Sequence, residues 1–137
     1  MKSMRKDIKI FDIAKRDNWA VQYDSDLDTL YWAKPKISPN AVSKKFLDDF
    51  TLYVTEKGDV EGLFIEYAKS NFFSHNKEYR PLIDQMIKVD DNQYVLPDKK
   101  TKEVEILLEN MADKVANETL EAVLQRGIEL KGMVLLN

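Results

Sequence analysis

The chain contains no cysteine, which removes disulfides, thiolate nucleophiles and cysteine-ligated zinc together and agrees with a reducing compartment. It has one histidine, His75; two-histidine metal sites and histidine-based facial triads are therefore excluded, and a single imidazole remains for acid–base work. His75 lies in the polar stretch "FFSHNK" with no nucleophile or orienting carboxylate close in sequence, the setting of a surface or helix-capping side chain. Arginine is scarce, with four among 21 basic residues (Arg5, Arg16, Arg80, Arg126), all scattered. Phosphate recognition favours arginine forks on a clustered basic face, so the pattern argues against nucleic acid as a partner. No glycine-rich phosphate loop occurs, since "EKGDVEG" spaces its two glycines for a hairpin. No cofactor-binding pattern emerges. The longest uninterrupted apolar stretches are "GLFI" and "MVLL", far short of the roughly 18 residues of a membrane span, so none is expected. The basic start, "MKSMRKDIKIFD", lacks the apolar centre of a secretory signal, which makes the cytoplasm the expected location.

What is present describes one folded domain. A chain of 137 residues with 44% hydrophobic and 33% charged residues but only four glycines and four prolines can bury a sizeable core and has no disordered or fibrous bias. The net charge of −3 is uneven: residues 1–18 carry +3, while 19–70 and 71–137 carry −3 each. The basic N-terminal stretch reads as a solvated, frayed end.

Two regimes of periodicity divide the chain. Over residues 19–70 the period is two. "WAVQY" sets Trp19, Val21 and Tyr23 on one face, "TLYWA" follows after "DSDLD", and "FTLYVT" alternates Phe50, Leu52 and Val54 with Thr51, Tyr53 and Thr55. "EKGD" then reverses the chain into "VEGLFIEY", so the reading is two hairpins forming a four-stranded antiparallel meander. Between them the prolines of "KPKISPN" break the sheet before a short helical turn expected over 41–47. From 71 onward the period is helical. Leu82, Ile83, Met86 and Ile87 mark a helix over 77–88, the stretch "VDDNQYVLPD" reads as a turn, and residues 98–126 form the strongest helix, with Asp98 or Thr101 as cap and Gly127 as terminator. The fold class is α+β: a single domain over 1–137, with a sheet in 19–70 and a helical extension in 71–137. The last segment, "GIELKGMVLLN", fits a strand or a docked tail equally well.

The triple aspartate in "QYDSDLDTLYW" sets the sharpest functional question. Asp24, Asp26 and Asp28 match the first three ligand positions of a calcium loop. The sixth position is Thr29 where glycine is needed for the bend, however, and the twelfth is Pro35 where a bidentate glutamate belongs. Aspartate also favours turns because its carboxylate accepts from the backbone two residues on. A hairpin turn is therefore the reading, and no metal site is assigned. The acid pairs Asp48-Asp49 and Asp90-Asp91 and the aromatic pairs Tyr31-Trp32 and Phe72-Phe73 read as solvated turns and core rather than as catalytic dyads or base-stacking platforms.

The motifs "VQYDSDLDTLYW" and "FTLYVTEKGDVEGLFIEYAKS", through Tyr23, Asp24, Asp28, Leu30, Tyr31, Gly58, Gly62 and Ala68, resemble the bacterial and archaeal family catalogued as domain of unknown function 2283, over about residues 19–70. This chain departs from that family's pattern at Phe64, where the family has glutamate, and at Lys69, which separates Ala68 from Ser70. The resemblance implies a compact antiparallel sheet and no particular chemistry, with an antitoxin-like role beside a small toxin as a lead.

Three functions follow as expectations. The first is a non-enzymatic protein-interaction module, forming a homo-oligomer or binding a protein partner. At about 1.5 Å per residue the 98–126 helix would run about 43 Å, more than a small sheet can cover, so Leu107, Met111, Val115 and Leu120 are the expected interface. The second is an antitoxin-like partner of a small toxin. The third is a small enzyme or ligand-binding domain with a site at the acidic sheet edge, through Asp24, Asp28 and Glu66.

Overall fold

A computed structural model describes residues 10–45 and 49–126, the side chains of 119–126 excepted. The first element is a helix, α1 (Ile10–Arg16), in the stretch expected to fray. Asp12 in its first turn and Lys15 and Arg16 in its last oppose the helix dipole favourably. Asn18 closes it in the left-handed region (φ 55°). The N–H groups of Trp19 and Asn18 bond back to the carbonyls of Ala14 (2.9 Å) and Lys15 (3.3 Å), the paired bonds of a Schellman terminus. Ile10 and Ala14, four residues apart, are its buried face.

The sheet is antiparallel with seven strands rather than four: β1 (Ala20–Asp24), β2 (Thr29–Ala33), β3 (Val42–Lys44), β4 (Thr51–Val54), β5 (Val60–Glu66), β6 (Ile87–Asp90) and β7 (Gln93–Val95), in the order β3-β4-β5-β2-β1-β7-β6. The two expected hairpins, β1–β2 and β4–β5, both form. They join through β2 and β5, from Thr29 opposite Glu66 to Ala33 opposite Gly62, so the four central strands are not a meander. A meander would have set β2 beside β4. Gly58 supplies the positive φ (90°) that the β4–β5 turn requires.

Three strands escaped the periodicity. β3 replaces the helical turn expected over 41–47 in its described part, with all three residues exposed at the sheet edge. β6 and β7 replace the end of the 77–88 helix and the stretch read as a turn: the helix α3 stops at Pro81–Asp84, Asp91 and Asn92 reverse the chain, and β7 pairs with β1. Ile83 and Ile87, four residues apart, share a helical spacing yet belong to different elements.

One hydrophobic cluster links sheet and helices. Val21, Tyr23, Leu30, Trp32, Leu52, Val54, Leu63 and Ile65 line a single sheet face, as alternation dictates. Phe72 knits the cover together, with ring centroids 5.6 Å from Phe50, 5.2 Å from Phe73 and 5.6 Å from Tyr79. Residues 68–79 run through a π-turn (Ala68–Phe72), a short helix α2 (Phe73–His75) and a 3-10 turn (Lys77–Tyr79). The long helix α4 (Lys102–Arg126) packs against α1 and α3 and buries Val104, Leu108, Met111, Ala112 and Val115 at steps of three and four. Its first turn is capped by Thr101, whose Oγ1 accepts from the N–H of Val104 at 3.2 Å. No described helix is long and apolar enough to cross a membrane.

Candidate functional site

The acidic corner is a turn held by its own carboxylates. Asp24 Oδ1 accepts from the backbone N–H groups of Asp26 (2.9 Å) and Leu27 (3.1 Å), and its Oδ2 from Gln93 Nε2 (2.9 Å). Asp26 Oδ2 accepts from Asn92 Nδ2 at 2.9 Å. The two hairpin turns are thus tied together side by side. Asp28 faces the other way, into the junction after β5. Its Oδ1 accepts from the Tyr23 hydroxyl (2.7 Å) and the Lys69 N–H (2.8 Å), and its Oδ2 from the Ser70 N–H (3.2 Å) and hydroxyl (2.7 Å).

Burial pushes the Asp28 carboxyl up, but these donors outweigh it and leave it below the usual carboxylate range. The Tyr23 hydroxyl shifts upward in turn, through burial first and the bond to Asp28 second. Glu66 pairs with Lys45 Nζ at 3.3 Å in the open. Of the expected binding residues, Asp24 and Asp28 therefore spend their oxygens on the chain itself, while Glu66 engages Lys45 through one oxygen at an exposed position. Among the described residues no group of three or more histidine, cysteine or acidic side chains is arranged to hold a metal ion. His75 Nδ1 sits 2.8 Å from the carbonyl oxygen of Asn71, one turn back.

A second carboxylate network had no motif to announce it. Glu61 is 6% exposed; its Oε1 accepts from the Ser38 N–H (2.7 Å), and its Oε2 from the Ser38 hydroxyl (2.6 Å) and Lys34 Nζ (3.4 Å). Burial raises its pKa, but the Ser38 donors and Lys34 prevail and hold it below the ordinary range. The network pins the proline-containing connection after β2 to the sheet.

The expected helical interface is placed differently. Met111 and Val115 are fully buried in the chain's own core, and Leu107 is half-buried against it. Leu120 lies where only the helix backbone is described.

Among the described residues, the partly exposed surface is instead the far side of the sheet, with Thr51 and Gly62 buried within it. Strand register sets Thr51, Phe64, Tyr31, Gln22, Val95 and Ile87 in one row across six strands. A second row runs Ser43, Tyr53, Gly62, Ala33 and Ala20. Neither row contains a charged residue, in a chain that is one-third charged. At their centre Phe64 lies 5.8 Å from Tyr31 and 5.1 Å from Tyr53, ring centroid to centroid. Ile87 closes one end at 53% exposure. Gly62 is required here: a Cβ would overlap that of Ala33 and lie 2.7 Å from its Cα. The row beyond is acidic, with Glu66, Asp24 and Asp90 in register through Thr29 and Gln93.

The architecture is an α+β domain with helices against one face of an antiparallel sheet. No known family model matches the chain, and no curated protein or solved structure does.

Proposed function

We propose that this is a non-enzymatic, cytoplasmic interaction module that associates with a second copy of itself through the charge-free face of the sheet. The observation that carries the reading is the pair of uncharged rows around Tyr53, Phe64 and Tyr31. Depletion of charge with aromatic enrichment is the signature of an interface centre. A two-fold contact brings each surface against its own copy, so any charge near the axis would meet its like; these rows hold none. The acidic row at one end supplies a polar rim. Kinship with domain of unknown function 2283 over about residues 19–70 belongs to the same proposal.

Size-exclusion chromatography with light scattering should show a dimer at about 50 µM, a concentration that populates any micromolar complex. Phe64→Glu should give a monomer with an unchanged circular dichroism spectrum, because position 64 is a partly exposed strand site. A wild-type monomer at that concentration, or a dimer indifferent to Phe64→Glu, would overturn the reading.

A further inference from the structure

The uncharged strip on the sheet face is longer across the strands than along them. From Thr51 to Ile87 it crosses six strands, about 24 Å, whereas its two rows occupy about 14 Å along the strands. Stacked sheets pack either aligned to within about 30° or crossed near 90°. Crossed strips would overlap over about 200 Å² and aligned strips over about 340 Å². A stable complex buries about 800 Å² on each partner, so aligned packing comes nearer, and even there the contact extends past the strip to the regions flanking it.

The two flanks differ in charge. One is the acidic row of Glu66, Asp24 and Asp90, with Asp26 and Asp91 in the adjoining turns. The only ion pair to this row among the described residues comes from Lys45, 3.3 Å from Glu66. The other flank lies where β2 runs out and β4 turns into β5, and its connections carry both signs, Lys36 and Lys57 with Glu56 and Asp59.

An aligned two-fold pair keeps its axis between the sheets, running either along the strands or across them. With the axis along the strands, acidic row meets acidic row, three carboxylates from each copy at one end of the dimer. With the axis across the strands the copy is turned end for end, and each acidic row lies over the mixed-sign flank of the other. Like charges opposed across an interface select against the pairing that contains them.

We propose that the second copy docks end for end on this face, with the two-fold axis across the strands and the two acidic rows at opposite ends of the dimer. This orientation rests on the uncharged face being the surface of self-association, and it adds which part of the partner each end of the sheet meets.

A chain without cysteine lets single introduced cysteines carry nitroxide labels. Leu27, 62% exposed in the β1–β2 turn, marks the acidic end, and Lys57, exposed in the β4–β5 turn, marks the other. In full-length chains, pulsed dipolar spectroscopy should give about 30 Å between the two labels of a Leu27→Cys dimer and about the same for Lys57→Cys, because each pair then sits at opposite ends of the stacked strands. An equimolar mixture of the two labelled proteins should add a separation below about 20 Å, since the sheets lie about 10 Å apart and the two turns overlie one another. The other axis reverses the pattern: each singly labelled dimer would show a separation below about 20 Å, and the mixture would add only a longer one. Phe64→Glu in the labelled chains should abolish the signal. A separation below about 25 Å in either singly labelled dimer, or none below about 20 Å in the mixture, would overturn the end-for-end arrangement and leave the face in place. A monomer, or a signal that survives Phe64→Glu, would remove the face and this orientation together.

Discussion

Asp28 ends the β1–β2 turn in the left-handed region, at φ 50°, and holds four donors at once. Replacing it separates two contributions. Asp28→Asn keeps the backbone preference, because asparagine tolerates that conformation, and keeps one oxygen for Tyr23 and Lys69. Its amide then faces the Ser70 N–H, donor against donor. Hydrogen bonds to a charged group contribute about 1.5–3 kcal/mol each, and because Ser70 is exposed its N–H turns to water instead, so the loss should be about 1–2 kcal/mol. Asp28→Ala removes every acceptor, orphans the Tyr23 hydroxyl and loses the short polar side chain that eases the left-handed conformation, at about 1 kcal/mol, for a total of about 4 kcal/mol.

Asp28→Gly relieves only the backbone part and should fall about 1 kcal/mol short of Asp28→Ala. Urea unfolding at pH 7 measures all three. Because the folded carboxyl titrates below its unfolded value, its stabilisation is complete above the unfolded pKa of about 4 and is lost as pH falls from there through the folded pKa. The gap between wild type and Asp28→Asn must therefore close on acidification. An Asp28→Asn variant within about 0.5 kcal/mol of wild type at pH 7, or a gap that persists in acid, would refute the role assigned to this carboxylate.

Gly62→Ala should destabilise by about 3 kcal/mol, because the added carbon meets backbone and Cβ of Ala33 across the strands; Ala33→Gly in the same chain should restore part of that in chemical denaturation. Thr101→Ala removes the cap that accepts from the Val104 N–H and should cost about 1 kcal/mol by the same measurement, with the transition still a single step.

The strands with clean alternation were legible. Residues 29–33 match the expected span, β5 ends one residue short of its own at Glu66, and β1 and β4 differ at their ends by one residue, because a half-buried strand writes its face into every second position. Neighbourhood is not written that way. A period of two identifies the buried face but not which strand lies beside it, and the link from Lys34 to Phe50 is long enough to carry the second hairpin round so that β5, not β4, meets β2. Shorter elements left weaker marks. α1 buries only Ile10 and Ala14, two residues that define no stripe. At the acidic corner the turn was legible, because an aspartate carboxylate accepts from the backbone two residues on, as Asp24 does from Asp26. The four-donor bond set of Asp28 was not, since Ser70 is 42 residues away.

The misplaced interface follows from counting strands. A four-stranded sheet spans three gaps of about 4.8 Å, or about 14 Å, and a helix of 25 residues, about 37 Å long, outruns it in any orientation. Seven strands span six gaps, about 29 Å, and α1 and α3 add further surface for α4 to cover. The need for a partner along Met111 and Val115 disappears with the three added strands. Those same strands create the alternative, because β6 and β7 contribute Ile87 and Val95 to the uncharged row on the other face. As long as Ile87 reads as the last apolar position of a helix, it points at the core and the row stops at Gln22. Once it is a strand residue, the apolar surface continues to the sheet edge, and the surface proposed for a second copy moves from the helix to the sheet.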